Sequence, residues 1–115
     1  MSPGQHPHYD LIAIDLDGTL LDGRHELSAA HRAALHRAHA AGLQVVLCTG
    51  RAYPDTLPTI QAIGLDLDAA ITVFGAMVTD VRSGRTIERA AFDRKTARTL
   101  TEWFRTHGFA VMWLA

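Results

Sequence analysis

Two carboxylates stand one residue apart in Asp15-Leu16-Asp17-Gly18-Thr19, directly after the apolar run Leu11-Ile12-Ala13-Ile14. Side chains two positions apart on an extended strand point to the same side, so both acids can face one small site. When both are ionised they repel, unless a cation or a proton sits between them. A donor set made only of oxygen suits Mg²⁺, a hard ion usually held by one or two carboxylates together with water and substrate phosphate. Gly18 lets the chain turn sharply and come close to a ligand, and Thr19 adds a hydroxyl. A second stretch, Thr49-Gly50-Arg51, follows the apolar run from Leu43 to Cys48. A threonine hydroxyl followed by backbone N–H groups at the entry to a helix can hold phosphate oxygens. Thr-Gly by itself is also ordinary turn chemistry. The stretch gains weight because it closes the next strand as Asp15 to Thr19 close the first. Cys48 reads as a small packing residue. A cysteine-phosphatase loop would need an arginine six residues further on, where Pro54 stands.

These segments need a scaffold that brings strand ends together. Leu11–Ile14 is short and continuously apolar, as suits a strand covered on both faces of a parallel sheet. Ser28 is placed to cap a helix over Ala29 to Ala41, with Gly42 at its exit. Along that helix His36 and His39 are spaced to meet, but no third ligand accompanies them, so they read as solvated. A second helix is expected from Asp55, as N-cap, to Ile63. That start would put Pro58 in the first turn, where a missing N–H costs little. A third apolar run, Ala69 to Phe74, ends at Gly75. Strand, helix, strand, helix, strand with short connections implies right-handed βαβ crossovers, hence an α/β, Rossmann-like parallel sheet with helices on its faces. In such sheets ligands bind beyond the carboxyl ends of the strands, here near 15–19, 48–51 and 74–76.

After Gly75, the segments 76–79 and 86–89 around Ser83-Gly84 suggest a hairpin. A third helix is expected over Arg94 to Thr106, and a strand over Phe109 to Ala115. So apolar a strand at a terminus leaves an edge open to aggregation, which implies a fragment of a longer protein. Residues 1–9, with two prolines, a glycine, His6 and His8, read as a loose, disordered tail.

Composition removes several alternatives. The chain has 115 residues, 48% of them apolar, enough for one packed core. Its net charge of −1 gives no electrostatic case for nucleic acid or an anionic membrane. No apolar signal segment opens the chain and no stretch reaches the length of a bilayer span, so a soluble, cytoplasmic protein is the expectation. The single cysteine excludes a disulfide framework and a multi-cysteine metal site. Lys95, the sole lysine, lacks the glycines of a P-loop, and no Gly-x-Gly-x-x-G turn is present. Trp103, Phe104, Phe109 and Trp113 read as packing residues and not as a base-stacking surface.

Asp-x-Asp-Gly-Thr after one apolar strand and Thr-Gly-Arg after the next resemble the first two motifs of the haloacid dehalogenase (HAD) superfamily. Only about 34 residues separate Asp15 from Thr49, too few for a cap domain inserted between the motifs. That spacing resembles the Cof-like sugar-phosphate phosphatases, whose α/β cap follows the third strand. The resemblance covers about residues 10–115 and implies a tail over 1–9, the N-terminal part of a HAD core over 10–90 and the start of a cap over 91–115. It also implies Mg²⁺-dependent hydrolysis of a small phosphorylated metabolite through an aspartyl-phosphate. Asp15 would be the nucleophile, and Asp17 the acid that protonates the leaving oxygen and then activates water. The Asp15 carboxylate and the Asp17 backbone carbonyl would hold the metal. Thr49 and Gly50, with the turn at Gly18, would cradle the phosphoryl oxygens.

Two features depart from that pattern. Cof-like sequences carry Asn-Gly-Ala at the third strand end, where this chain has Phe74-Gly75-Ala76. The family's lysine and further acidic metal ligand lie after the cap, and Lys95 stands in the wrong place, so these 115 residues alone are expected to turn over little or nothing. A non-catalytic remnant or binding module is the alternative reading. A phospho-acceptor receiver domain is a poorer one, because receivers place the acceptor aspartate at the third strand end, here Phe74-Gly75.

Overall fold

The computed structural model describes residues 8–114. Most of the tail expected over 1–9, His6 included, lies outside the described residues; His8 and Tyr9 are exposed, with the His8 ring 3.2 Å from Asp10.

Five strands and three helices follow in the order β1 (Leu11–Asp15), α1 (Ala29–Ala40), β2 (Gln44–Cys48), α2 (Tyr53–Ile63), β3 (Ala69–Thr72), β4 (Met77–Asp80), β5 (Thr86–Arg89) and α3 (Arg94–Thr106). They form one sheet in the order β1-β2-β3-β4-β5. β1, β2 and β3 run parallel, joined through α1 and α2, as the alternating pattern requires. The hairpin adds β4 and β5 antiparallel to β3, so the sheet is mixed and not wholly parallel. The core beneath it is Leu16, Leu20, Leu21, Leu35, Val45, Leu47, Ile63, Leu67 and Ala70.

Burial separates the first two strands. Val45, Val46 and Leu47 of β2 are all buried, because β2 has a neighbour on each side. β1 pairs only with β2 among the described residues, and Ile12 and Ile14 are half-buried while Leu11 and Ala13 are exposed. Its expected burial on both faces is therefore not met: Ile12 and Ile14 pack against the core, while Leu11, Ala13 and Asp15 lie on the uncovered face.

α1 is capped by Ser28, whose Oγ accepts the His31 N–H at 3.1 Å. Of the two histidines expected to be solvated, His39 is exposed and His36 is half-buried. His36 Nε2 bonds the Ile63 carbonyl at 2.7 Å, and His31 Nδ1 bonds the Leu20 carbonyl at 2.8 Å. α2 starts earlier than expected, with Ala52 and not Asp55 at its N-cap. The chain tightens directly after Thr49, whose Oγ1 accepts the Arg51 N–H at 3.1 Å. Pro54 then occupies the first turn, where no N–H is needed. Pro58 consequently lies inside the helix and removes one backbone bond there.

α3 has the expected bounds and is capped by Asp93, yet it buries none of its side chains. The strand expected over Phe109 to Ala115 does not form in residues 109–114, and Ala115 lies outside the described residues. No described strand lies alongside to accept its backbone hydrogen bonds, and a lone strand is not stable in water. Trp103, Phe104, Phe109 and Trp113 are exposed accordingly. The ring contacts of the first three are local, as in the stacking of Trp103 on His107 at 4.0 Å and the edge contact of Phe104 with Phe109 at 6.0 Å.

Candidate active site

Register assembles the site. Asp15 pairs with Cys48 and Cys48 with Ile71, so β1, β2 and β3 end in one row. Everything after that row emerges from the same end of the sheet: 16–19, 49–51 and 73–75. Three backbone bonds tie the second and third segments together. The Thr49 N–H donates to the Ile71 carbonyl at 2.9 Å, the Val73 N–H to the Arg51 carbonyl at 2.9 Å, and the Phe74 N–H to the Thr49 carbonyl at 3.3 Å.

Leu16 is fully buried while Asp15 and Asp17 on either side of it are exposed, so the chain turns both carboxylates outward. Their surroundings differ. One oxygen of Asp15 accepts the Leu16 N–H at 2.9 Å, and the other accepts the Thr19 hydroxyl at 3.4 Å. Asp17 is gripped by charge. The Arg51 guanidinium spans its two oxygens, Nε to Oδ2 at 2.8 Å and the terminal nitrogen Nη2 to Oδ1, and His25 Nδ1 sits 2.9 Å from Oδ1. The Arg51 hydrogen bonds, more than those of His25, hold the Asp17 carboxyl down to about 2. The same contact raises the Arg51 guanidinium above its ordinary value.

Gly18, at φ 76°, makes the reversal after Asp17 that a side chain would resist. The turn is closed by the Thr19 N–H on the Leu16 carbonyl and the Leu20 N–H on the Asp15 carbonyl, each at 3.2 Å. Thr49 is buried and Gly50 half-buried beside the start of α2, where backbone N–H groups lack helical partners. The Cys48 thiol is pushed up by burial, and to a lesser degree by Asp15, which keeps it protonated and agrees with a packing role.

The five residues expected in the site therefore meet at one sheet end. Reading the residues assigned no role to Arg51, although it was part of the second motif, and missed His25. The Arg51–Asp17 contact crosses between strands, and only the register announces it. His25 adopts φ 61°, a conformation that nothing in its local sequence signals.

The oxygens on the site fit a hard divalent cation in part. The Asp15 carboxylate is exposed, with lone pairs to spare, and no hydrogen bond reaches the Asp17 carbonyl among the described residues. The Asp17 carboxylate does not fit, because the Arg51 guanidinium already pairs with both its oxygens and His25 contacts one of them. Among the described residues no three His, Cys, Asp or Glu side chains converge on a metal position. Two protein oxygens remain, and Mg²⁺ characteristically completes its shell with water and phosphate.

Residues 12–115 match the family model described as haloacid dehalogenase-like hydrolase. The chain is 35% identical over 99 residues to phosphatase YwpJ of Bacillus subtilis, covering 86% of this chain and 34% of that protein. It is 37% identical to the 5-amino-6-(5-phospho-D-ribitylamino)uracil phosphatase YwtE of the same organism, covering 80% of this chain and 31% of that one. A solved haloacid dehalogenase-like hydrolase from B. subtilis superposes with a TM-score of 0.76 at 36% identity, over 85% of this chain and 34% of its own. The chain thus spans about a third of the length of the curated relatives it matches.

Proposed function

The chain belongs to the haloacid dehalogenase-like hydrolases, and from that premise we propose that it carries the nucleophile and phosphate cradle of a phosphatase acting on a small phosphorylated metabolite. The observation that carries this reading is the shared row of strand ends, which puts Asp15 and Asp17 beside Thr49, Gly50 and Arg51.

Asp15, the less encumbered carboxylate, attacks phosphorus and forms an aspartyl-phosphate, while the leaving oxygen takes a proton from Asp17. Water then attacks the same phosphorus, gives its proton to Asp17, and regenerates Asp15. Thr49 and the Gly50 N–H, with the open turn at Gly18, hold the phosphoryl oxygens, whose charge is what catalysis of phosphoryl transfer must stabilise. The Asp15 carboxylate and the Asp17 carbonyl would hold Mg²⁺, which when bound supplies positive charge against those oxygens.

Arg51 adds a condition to this scheme. A carboxyl held at about 2 is ionised at neutral pH, which suits the water-activating step. Proton donation in the first step requires the Arg51–Asp17 pair to loosen and Asp17 first to take up a proton from water. A dianionic phosphate is itself a partner for a guanidinium, so substrate arrival competes for Arg51 and frees Asp17.

We further assign 10–90 to the core and 91–115 to the start of a cap, since α3 shares no burial with the sheet. Action in the cytoplasm without nucleic acid or membrane belongs to the same reading. It is supported by the near-neutral charge and by the absence, among the described residues, of a helix long and apolar enough to cross a membrane. The 115 residues alone hold a single lysine, Lys95, which lies on α3 and not on a strand end, so their isolated turnover should be minimal.

The test uses the protein at its natural length with Mg²⁺ and a panel of sugar and heterocyclic phosphates. Phosphate release should fall by about 10³-fold or more in Asp15→Asn, the scale expected when a nucleophile is removed. Retained turnover in that variant would remove the nucleophile assignment. No release from any ester by the unaltered protein would favour the binding-module reading.

A further inference from the structure

Phe74 is held in an unusual place. Its side chain is 92% exposed, the most exposed large apolar residue among those described. It has φ 53°, and Val73 before it has φ 51°. Left-handed backbone is uncommon outside glycine, and for a β-branched residue such as valine it is a strained outlier. Two such residues in succession cost stability, and burial of the ring does not return it. The turn is nevertheless fastened at both residues, by the Val73 N–H on the Arg51 carbonyl and the Phe74 N–H on the Thr49 carbonyl. Strain that surrounding hydrogen bonds maintain marks positions where geometry serves function.

What the strain achieves is visible at Gly50. A methyl group in place of the Gly50 hydrogen would run into the Cζ and Cε carbons of Phe74, so the tip of the ring lies against Gly50 while the rest of it stays open. Asp17 reaches the 49–51 segment from the β1 side, and Phe74 reaches it from the β3 side. A phosphate on the Gly50 N–H would thus have the acid on one flank and an open aromatic surface on the other.

Resting on the phosphatase reading, we propose that Phe74 is a specificity-determining residue, a platform on which a planar aromatic leaving group stacks while its phosphate occupies the Thr49–Gly50 cradle. A ring can offer dispersion and an offset or edge-on contact to another ring, whereas a sugar hydroxyl gains nothing from it.

The experiment compares phosphate esters of aromatic compounds (phenyl phosphate and pyridoxal phosphate) with glucose 6-phosphate and ribose 5-phosphate, using the natural-length protein with Phe74→Leu and Phe74→Asn. Leucine keeps apolar bulk without a π face, and asparagine accepts left-handed backbone readily, so at least one variant retains the fold. The expected result is a KM ratio of aromatic to sugar phosphates that rises about tenfold in both variants, with kcat for either class changed far less. Equal losses for both classes, or an unchanged ratio, would overturn the platform. Binding of phenylphosphonate against methylphosphonate, measured by calorimetry, separates the two readings. A Phe74-dependent preference for the phenyl compound without phosphate release from any ester sustains the platform and sinks the phosphatase. Phosphate release with no such preference does the reverse.

Discussion

The sheet end at 15–51 and the segment from Phe92 to Leu114 make opposite uses of their side chains. At the sheet end the charged groups are matched within the chain: Asp17 has Arg51 and His25, and Thr49 Oγ1 takes the Arg51 N–H. Beneath it Leu16 and Leu47 are fully buried. In the later segment a well-capped helix carries Trp103 and Phe104 into solvent, and Met112 and Trp113 follow them. Both regions are apolar enough to fold against something, but only the first finds its complement among the described residues. Local signals form an element; burial needs a neighbour.

Substitutions at four positions probe that contrast. Leu47→Ala should cost the most, about 2–5 kcal/mol in urea denaturation, because it empties a site in the middle of the core. A matching Trp103→Ala change should stay within about 0.5 kcal/mol, and a loss as large as that of Leu47→Ala would show α3 packed after all.

Arg51→Ala should lower kcat of the natural-length protein by about 10- to 100-fold through a misplaced Asp17, while Arg51→Lys recovers only part of it because the two-point grip is lost. It should also let the Asp17 carboxyl rise from about 2 toward its ordinary 3.8, which carbon-detected NMR titration reads directly. The sign follows from linkage. A carboxyl depressed by folding contributes stability that is full above 3.8 and is lost as pH falls toward 2. The unaltered chain should therefore lose stability over that window more steeply than Arg51→Ala.

Asp93→Ala should act on one helix alone. Asp93 accepts the Thr96 N–H at 2.9 Å as the N-cap of α3, and losing such a cap costs about 0.5–2 kcal/mol of helix stability. Since α3 buries nothing, circular dichroism should report fraying of one helix while the core transition stays in place.

The parts of the fold that were legible are those governed by a few adjacent residues. Ser28 announced α1, the β-rich runs announced β2 and β3, and α3 emerged with the bounds its pattern implied. Asp15, Asp17, Gly18, Thr49 and Gly50 were legible as a group because strand-end chemistry follows from parallel pairing. What escaped depends on contacts across the chain or on backbone states that side-chain types do not encode. The edge position of β1 is set by which strands are present beside it. The early start of α2 is set by Thr49 receiving the Arg51 N–H, and not by Asp55. The left-handed pair Val73-Phe74 contradicts the preferences of both residues and is imposed by the carbonyls of Arg51 and Thr49.

Parallel strands whose working segments all leave one end have a practical consequence for tolerance to insertions and cuts. The return connections at 41–43 and 64–68 lie at the opposite pole of the sheet, and their lengths do not enter the spacing between Asp17, Arg51 and Phe74. Added residues there, or even new termini, should leave that trio undisturbed. A single residue inserted within β2 would instead throw Thr49 and Gly50 out of phase with both neighbours.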